Sequence, residues 1–117
     1  MLAVGISGAD SDSQDLQFLD FTKPTDPAKL WYLSNTSGAV AFHPTHPVVA
    51  IGDPSNGATT VWDMTQATKP QQIARLVADT GLVEALAFSP DGSLLAAAVK
   101  RNGSTNDDNA VVYFWKM

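Results

Sequence analysis

The chain has 117 residues, 44% of them apolar and only 16% charged, a composition that fits one globular unit long enough to bury a core. Twelve Asp/Glu stand against seven Lys/Arg, a net charge of −5, which lacks the basic footprint that holds phosphate backbones and so argues against nucleic acid. There is no cysteine, which excludes disulfides and thiolate metal sites, and no apolar run approaches the roughly 18 residues that cross a bilayer, so no membrane partner is expected.

The first element expected is a strand over 2–6, in "MLAVGISGADSD", which has neither the basic stretch nor the apolar length of a secretory leader. "DSDSQD" (10–15) has the alternating acids of a calcium loop. An EF-hand, however, needs Gly at its sixth place and Glu at its twelfth, and counting from Asp10 those places hold Asp15 and Phe21. A solvated loop is the expectation there. Strands follow over 16–21, 29–33, 38–43, 47–52 and 58–63, each a short run of β-branched, aromatic or leucine residues bounded by Gly, Pro, Asp, Asn or Ser. "KPQQIARLVAD" is the one rival for a helix, but its place between flanking strands assigns it to a strand over 71–77. Three more strands, 83–88, 93–99 and 110–116, complete ten. Between the last two, "RNGSTNDDN" (101–109) is the longest loop, with Asn-Gly as its turn signal.

The strands repeat. "VAFHPTHPVVAIG" (40–52) and "LAFSPDGSLLAAAV" (86–99) align without a gap, placing Phe42 on Phe88, Pro44 on Pro90 and Ala50 on Ala96. Leu2-Ala3-Val4-Gly5 continues the series onto Val49-Ala50-Ile51-Gly52. A second phrase recurs downstream: "LQFLDFTKPTDP" (16–27) matches "TTVWDMTQATKP" (59–70), pairing Asp20 with Asp63, and "VVYFWKM" begins it a third time with Trp115 on Trp62. In "SPDG" the Pro suits the second place of a tight turn and Gly92 supplies the permissive backbone that reverses the chain; "HPTHP" makes the same reversal without a glycine.

Four short strands per repeat, with "AFSPDGSLLA" followed by "VWD", resemble the WD40 repeats of β-propellers, over essentially the whole chain. The linkers after Asp20 and Asp63 resemble those of WD40 arrays in large bacterial signalling proteins. The resemblance implies an all-β fold of propeller blades, divided as 1–35 (partial), 36–80 (full) and 81–117 (partial). With strands named a to d from the innermost outward, the order reads b-c-d, a-b-c-d, a-b-c. A ring of about 4–8 blades is not closed by so few. The expectation is a piece of a longer propeller, or self-association through open blade edges. Phe42, Phe88, Asp91, Gly92, Trp62, Asp63, Asp20 and Trp115 are the expected structural positions.

The sequence departs from the family's pattern where a Gly-His pair, a Ser/Thr and an Asp join the Trp in a buried polar network. "NTSG" (35–38) and "DTGL" (79–82) carry no His, Asp53 and Val99 stand in the Ser/Thr places, and Leu19 replaces the first Trp. Blades held by apolar packing and backbone ladders are therefore expected.

Chemistry is sparse. His43 and His46 sit three apart like a metal pair, yet both lie in one turn and no third ligand is evident, so neither metal nor cofactor is expected. No histidine stands in a phrase that would serve a nucleophile as base, so no catalytic residue is named. In a propeller the b–c and d–a loops share one rim. Asp10, Asp12, Asp15, Asp53, Asp79, Asp107 and Asp108 fall there with Lys100 and Arg101, while the opposite rim carries Lys23, Lys29 and Lys69 with Asp26 and Asp91. The candidate partner-binding face is thus acidic and suited to a basic protein surface. The function expected is a non-catalytic, cytoplasmic interaction scaffold or sensing module. The alternative is a propeller-type hydrolase or lactonase, for which only Glu84 and His43 offer groups on the inner strands.

Overall fold

The computed structural model describes residues 2–7, 14–20, 25, 28–54, 56–66, 68–78, 81–101 and 110–117. Its elements are β1 (Leu2–Ser7), β2 (Gln14–Asp20), β3 (Ala28–Thr36), β4 (Val40–Phe42), β5 (Val48–Gly52), β6 (Ala58–Asp63), β7 (Gln71–Val77), β8 (Gly81–Phe88), β9 (Leu94–Arg101) and β10 (Ala110–Lys116). All ten expected strands are present. They form three antiparallel sheets in the orders β1-β2-β3, β4-β5-β6-β7 and β10-β9-β8, the arrangement of partial propeller blades. The helix rival is a strand: β7 pairs with β6 as the outer edge of the middle sheet. β3 runs three residues beyond its expected end and β8 starts two residues early, because hydrogen bonds at the rim extend both ladders.

Strand register makes the internal repeat physical. Ala3 pairs with Phe18, Ala50 with Val61 and Ala96 with Phe114, so one small-against-bulky pair recurs in all three sheets. Two residues upstream on the outer partner, Leu16, Thr59 and Val112 occupy one further shared position, opposite Gly5, Gly52 and Ala98. Opposed residues point to the same face of a sheet and successive residues to opposite faces. The middle sheet therefore has one face turned to the first sheet and one turned to the third.

Two packed interfaces result. Between the first and middle sheets lie Leu16, Phe18, Val49, Ile51 and Met64, flanked by Trp31, Leu33 and Trp62. Phe18 packs at a tilt against Trp31 at 5.1 Å and makes an edge contact with Phe42 at 6.2 Å, while Trp31 reaches Trp62 at 4.8 Å. Between the middle and third sheets lie Ala50, Val61 and Leu95, joined by Leu86, Phe88 and Trp115, and beside them Val83, Ala97 and Val99. Gly52 permits this second approach: a Cβ on it would stand 2.8 Å from the Val83 side chain and 2.5 Å from Ser37 Oγ.

Beside the expected apolar packing and backbone ladders, the middle sheet carries a polar link of its own. The Trp62 indole N–H donates to Thr60 Oγ1 at 2.9 Å, and the Thr60 hydroxyl donates to the Ile51 carbonyl at 3.3 Å. Thr60 reaches the indole because residues i and i+2 of a strand share a face. In the third sheet Tyr113 takes the place of Thr60, and its ring stacks against Trp115 at 6.2 Å instead.

Thr59 is the exception to good packing. It is fully buried, and its hydroxyl has no hydrogen-bond partner among the described residues. The same position is Leu16 and Val112 in the other two sheets. Thr59→Val should raise stability by about 1 kcal/mol, because it removes a buried, unpaired hydroxyl at almost constant shape. A urea midpoint that rises with the slope unchanged is the expected result.

Candidate functional site

The rim formed by b–c loops and d–a connections is built on backbone hydrogen bonds. Within the middle sheet, Asp53 N–H donates to Ala58 O at 2.9 Å, and the Asp53 carboxylate accepts from Asn56 N–H at 2.9 Å and from Asn56 Nδ2 at 3.4 Å. The same loop reaches the third sheet: Gly57 N–H donates to Gly81 O at 2.8 Å, and Val83 N–H donates to Asp53 O at 3.2 Å. Ala78 N–H closes the rim on Gly57 O at 3.1 Å, and Ser37 N–H donates to Gly52 O at 2.9 Å. The sharing of one rim by b–c and d–a segments is thus a hydrogen-bonded fact in this chain.

Asp53 is the candidate face residue whose side chain the structure places. It lies half-buried at the mouth of a cleft of about 140 Å³ between the first and middle sheets, lined also by Leu33, Thr36, Ile51, Thr60 and Trp62. Asp10, Asp12, Asp79, Asp107 and Asp108 lie outside the described residues, as do most of the "DSDSQD" run and the 102–109 loop. Arg101 ends β9 at this rim, and its side chain is not among those described.

The opposite rim carries the a–b turns. In "SPDG", Gly92 N–H donates to Ser89 O at 2.9 Å and Ser89 N–H donates to Leu94 O at 2.8 Å, with Gly92 at φ +76°. Asp91 ties this turn together by accepting from Ser89 Oγ (2.7 Å), Ser93 N–H (3.0 Å) and Ser93 Oγ (2.7 Å). The Ser89 hydroxyl first, then Ser93, hold the Asp91 carboxyl down to about 2. Asp63 plays the same part in the linker after β6. It accepts from the Thr65 hydroxyl at 2.6 Å and Thr65 N–H at 2.8 Å, and these two bonds lower its pKa. The side chain of its counterpart Asp20 is not among those described.

A carboxyl whose pKa is lower in the folded state stabilises the fold above its unfolded value of 3.8, and that contribution disappears as pH falls toward the folded value. Melting temperature should therefore fall between about pH 5 and about pH 2, and Asp91→Asn should flatten that part of the profile. An unchanged slope in the variant would remove Asp91 from the account.

"HPTHP" makes its turn by other means. His43 Nδ1 accepts from Thr45 N–H at 3.2 Å and His46 N–H at 3.1 Å, which replaces part of what Asp91 and Gly92 do in the other copy. The His43 ring also packs edge-on against Phe88 at 5.2 Å and lies over Gly92, so it bridges two sheets. The sequence places both histidines in this turn, but not the contact of His43 with the third sheet. Glu84 and His43, the pair needed by the hydrolase alternative, are not brought together. Glu84 sits four residues before Phe88 on β8, roughly 13 Å along the strand from the ring that His43 touches. Among the described residues no group of three His, Asp or Glu side chains could hold a metal ion.

No family model matches the chain, and no curated protein matches it. Among solved structures it is similar to a β-propeller chain in the crystal structure of the mitotic checkpoint complex, at TM-score 0.62 and 17% identity. The match covers 88% of this chain and 29% of that one, so the chain spans less than a third of its neighbour's length. The shared property is the fold: a β-propeller-like set of antiparallel sheets, present here in part.

Proposed function

We propose that the chain is a non-catalytic docking scaffold of WD40-type blades, of the kind carried by bacterial signalling arrays, working in the cytoplasm. Its partner is a protein with a basic surface, bound at the b–c/d–a rim. The observation that carries this reading is the cross-sheet tie of the Asp53 loop, whose Asp53 carbonyl and Gly57 N–H both bond to β8. Loops fixed to two sheets at once are displayed rigidly, and rigid display lowers the ordering cost of binding. Similarity to a propeller found in a protein complex is compatible with such a role. The acidity of the rim supplies the selectivity: a field of one sign attracts a lysine-rich surface and repels phosphate.

The test is a titration of the isotope-labelled chain with a lysine-rich decapeptide, followed by amide chemical shifts. Shifts should centre on Asn56 and Gly81, and affinity should weaken as salt is added. Asp79→Asn combined with Asp107→Asn and Asp108→Asn should reduce binding several-fold. Equal binding of a glutamate-rich decapeptide, or shifts centred on the Asp91 rim, would refute the assignment.

A further inference from the structure

The cleft of about 140 Å³ between β3 and the middle sheet has walls of one kind and polar groups of one kind. Leu33, Ile51 and Trp62 form the walls, and all three belong to the apolar packing between the two sheets. Asp53 stands at the mouth, where both of its carboxylate oxygens accept from Asn56. Thr60 lies within, and the single hydrogen of its hydroxyl is given to the Ile51 carbonyl at 3.3 Å. The Trp62 N–H is likewise given, to Thr60 Oγ1 at 2.9 Å.

Asp53, Thr60 and Trp62 therefore offer the cleft acceptors and no donor. A carboxylate has about four acceptor sites and a hydroxyl oxygen two, so Asp53 and Thr60 each accept more than one bond. An anion would meet the Asp53 charge and no donor from these three. A cation with N–H groups on an apolar stem satisfies both the mouth and the walls. The volume fits one such group: a water takes about 30 Å³, so the space holds about five units of that size, four methylenes and an ammonium. Lysine suits the mouth better than arginine. Both Asp53 oxygens are engaged by Asn56, so no bare pair of oxygens matches a planar guanidinium, whereas an ammonium is a point charge with three rotatable donors.

We propose that this cleft receives one lysine side chain of the protein partner, its methylenes against Leu33, Ile51 and Trp62 and its ammonium at the Asp53 carboxylate. The inference rests on the reading of this rim as the docking face, and it turns a general attraction for positive charge into a seat for a single residue. A field alone draws lysine and arginine alike to any point of the rim. The cleft fixes which side chain is held and where.

The probe is Nα-acetyl-lysine methylamide, a single lysine with neutral ends, and the reporter is the Trp62 indole N–H resonance of the isotope-labelled chain. That resonance should shift to saturation, together with the methyl groups of Leu33 and Ile51. The norleucine analogue keeps the stem without the ammonium and should bind several-fold more weakly, as should the arginine analogue. Asp53→Asn should weaken the lysine probe several-fold. Ser34→Trp, at an exposed position on the lip of the cleft, should abolish the shift with the net charge unchanged, and it decides the matter if the Asp53 variant fails to fold. No saturable shift at Trp62, equal shifts with the norleucine analogue, or a shift undiminished in Ser34→Trp would each overturn the proposal. The cleft and the rim fail separately. A lysine-rich decapeptide that moves Asn56 and Gly81 but neither Trp62 nor Leu33 would overturn the cleft and leave the docking rim in place. A lysine probe seated at Trp62 while a glutamate-rich decapeptide binds the rim equally well would uphold the cleft and refute the field.

Discussion

Phe18→Ala should lower the stability of the chain by about 3–5 kcal/mol, enough to leave a domain of this size largely unfolded at 37 °C. Phe18 is the largest fully buried side chain described, and it links the first sheet to the middle one through Trp31 and Phe42. The loss has two parts. The ring's transfer from water is forfeited, and a cavity remains between two sheets whose backbones are fixed by their own ladders and cannot close around it. Chemical denaturation monitored by tryptophan fluorescence suits the measurement, since Trp31 and Trp62 both border the site. Phe18→Leu should recover more than half of the loss because it refills most of the volume. A cost below about 1 kcal/mol for Phe18→Ala would mean that the first sheet does not pack on the second as described.

Gly92→Ala should cost about 3 kcal/mol, from two separable causes. At φ +76° an alanine is strained by about 1–2 kcal/mol, whatever surrounds it. Its Cβ would also collide with the imidazole of His43, at Nε2 and Cε1. The ring cannot swing aside freely, because His43 Nδ1 is held by Thr45 and His46 N–H groups and the ring packs edge-on against Phe88. A double-mutant cycle with His43→Ala separates the causes: the second change should relieve the collision but not the backbone strain, giving a coupling of about 1–2 kcal/mol. Additive effects would show that the two turns do not touch.

Much of this fold could be read from sequence because the repeat imposes it. Ala50 and Ala96 are small for one reason, a bulky partner across the ladder, and that reason gives them the same letter at the same spacing. The strand in "KPQQIARLVAD" was legible from its place in the repeat and not from its own pattern, which suits a helix equally. The polar link from Trp62 to Thr60 is not legible from the family's pattern, whose hydrogen-bond partners stand at other positions. The available signal was simpler: a hydroxyl two residues before an indole on one strand. His43 was missed for a different reason. Its contacts are to Gly92 and Phe88, 49 and 45 residues away along the chain, and no local pattern reports a contact between two turns on adjacent sheets. Of the acidic rim, sequence supplied the tally of charges, and the structure supplied the hydrogen bonds that bind the Asp53 loop to β8.

The middle sheet is flanked on both sides, by Phe18 and Trp31 on one face and by Leu95 and Trp115 on the other, whereas among the described residues the first and third sheets are each packed on one face. In a one-dimensional array the cost of local opening is set by how many neighbours an element must release. Deuterium should accordingly enter last at the amides of Val49, Ile51 and Val61 and earlier in the first and third sheets. Heat or protease would then open the outer sheets before the middle one, with β4 to β7 as the last part of the described residues to surrender its protons.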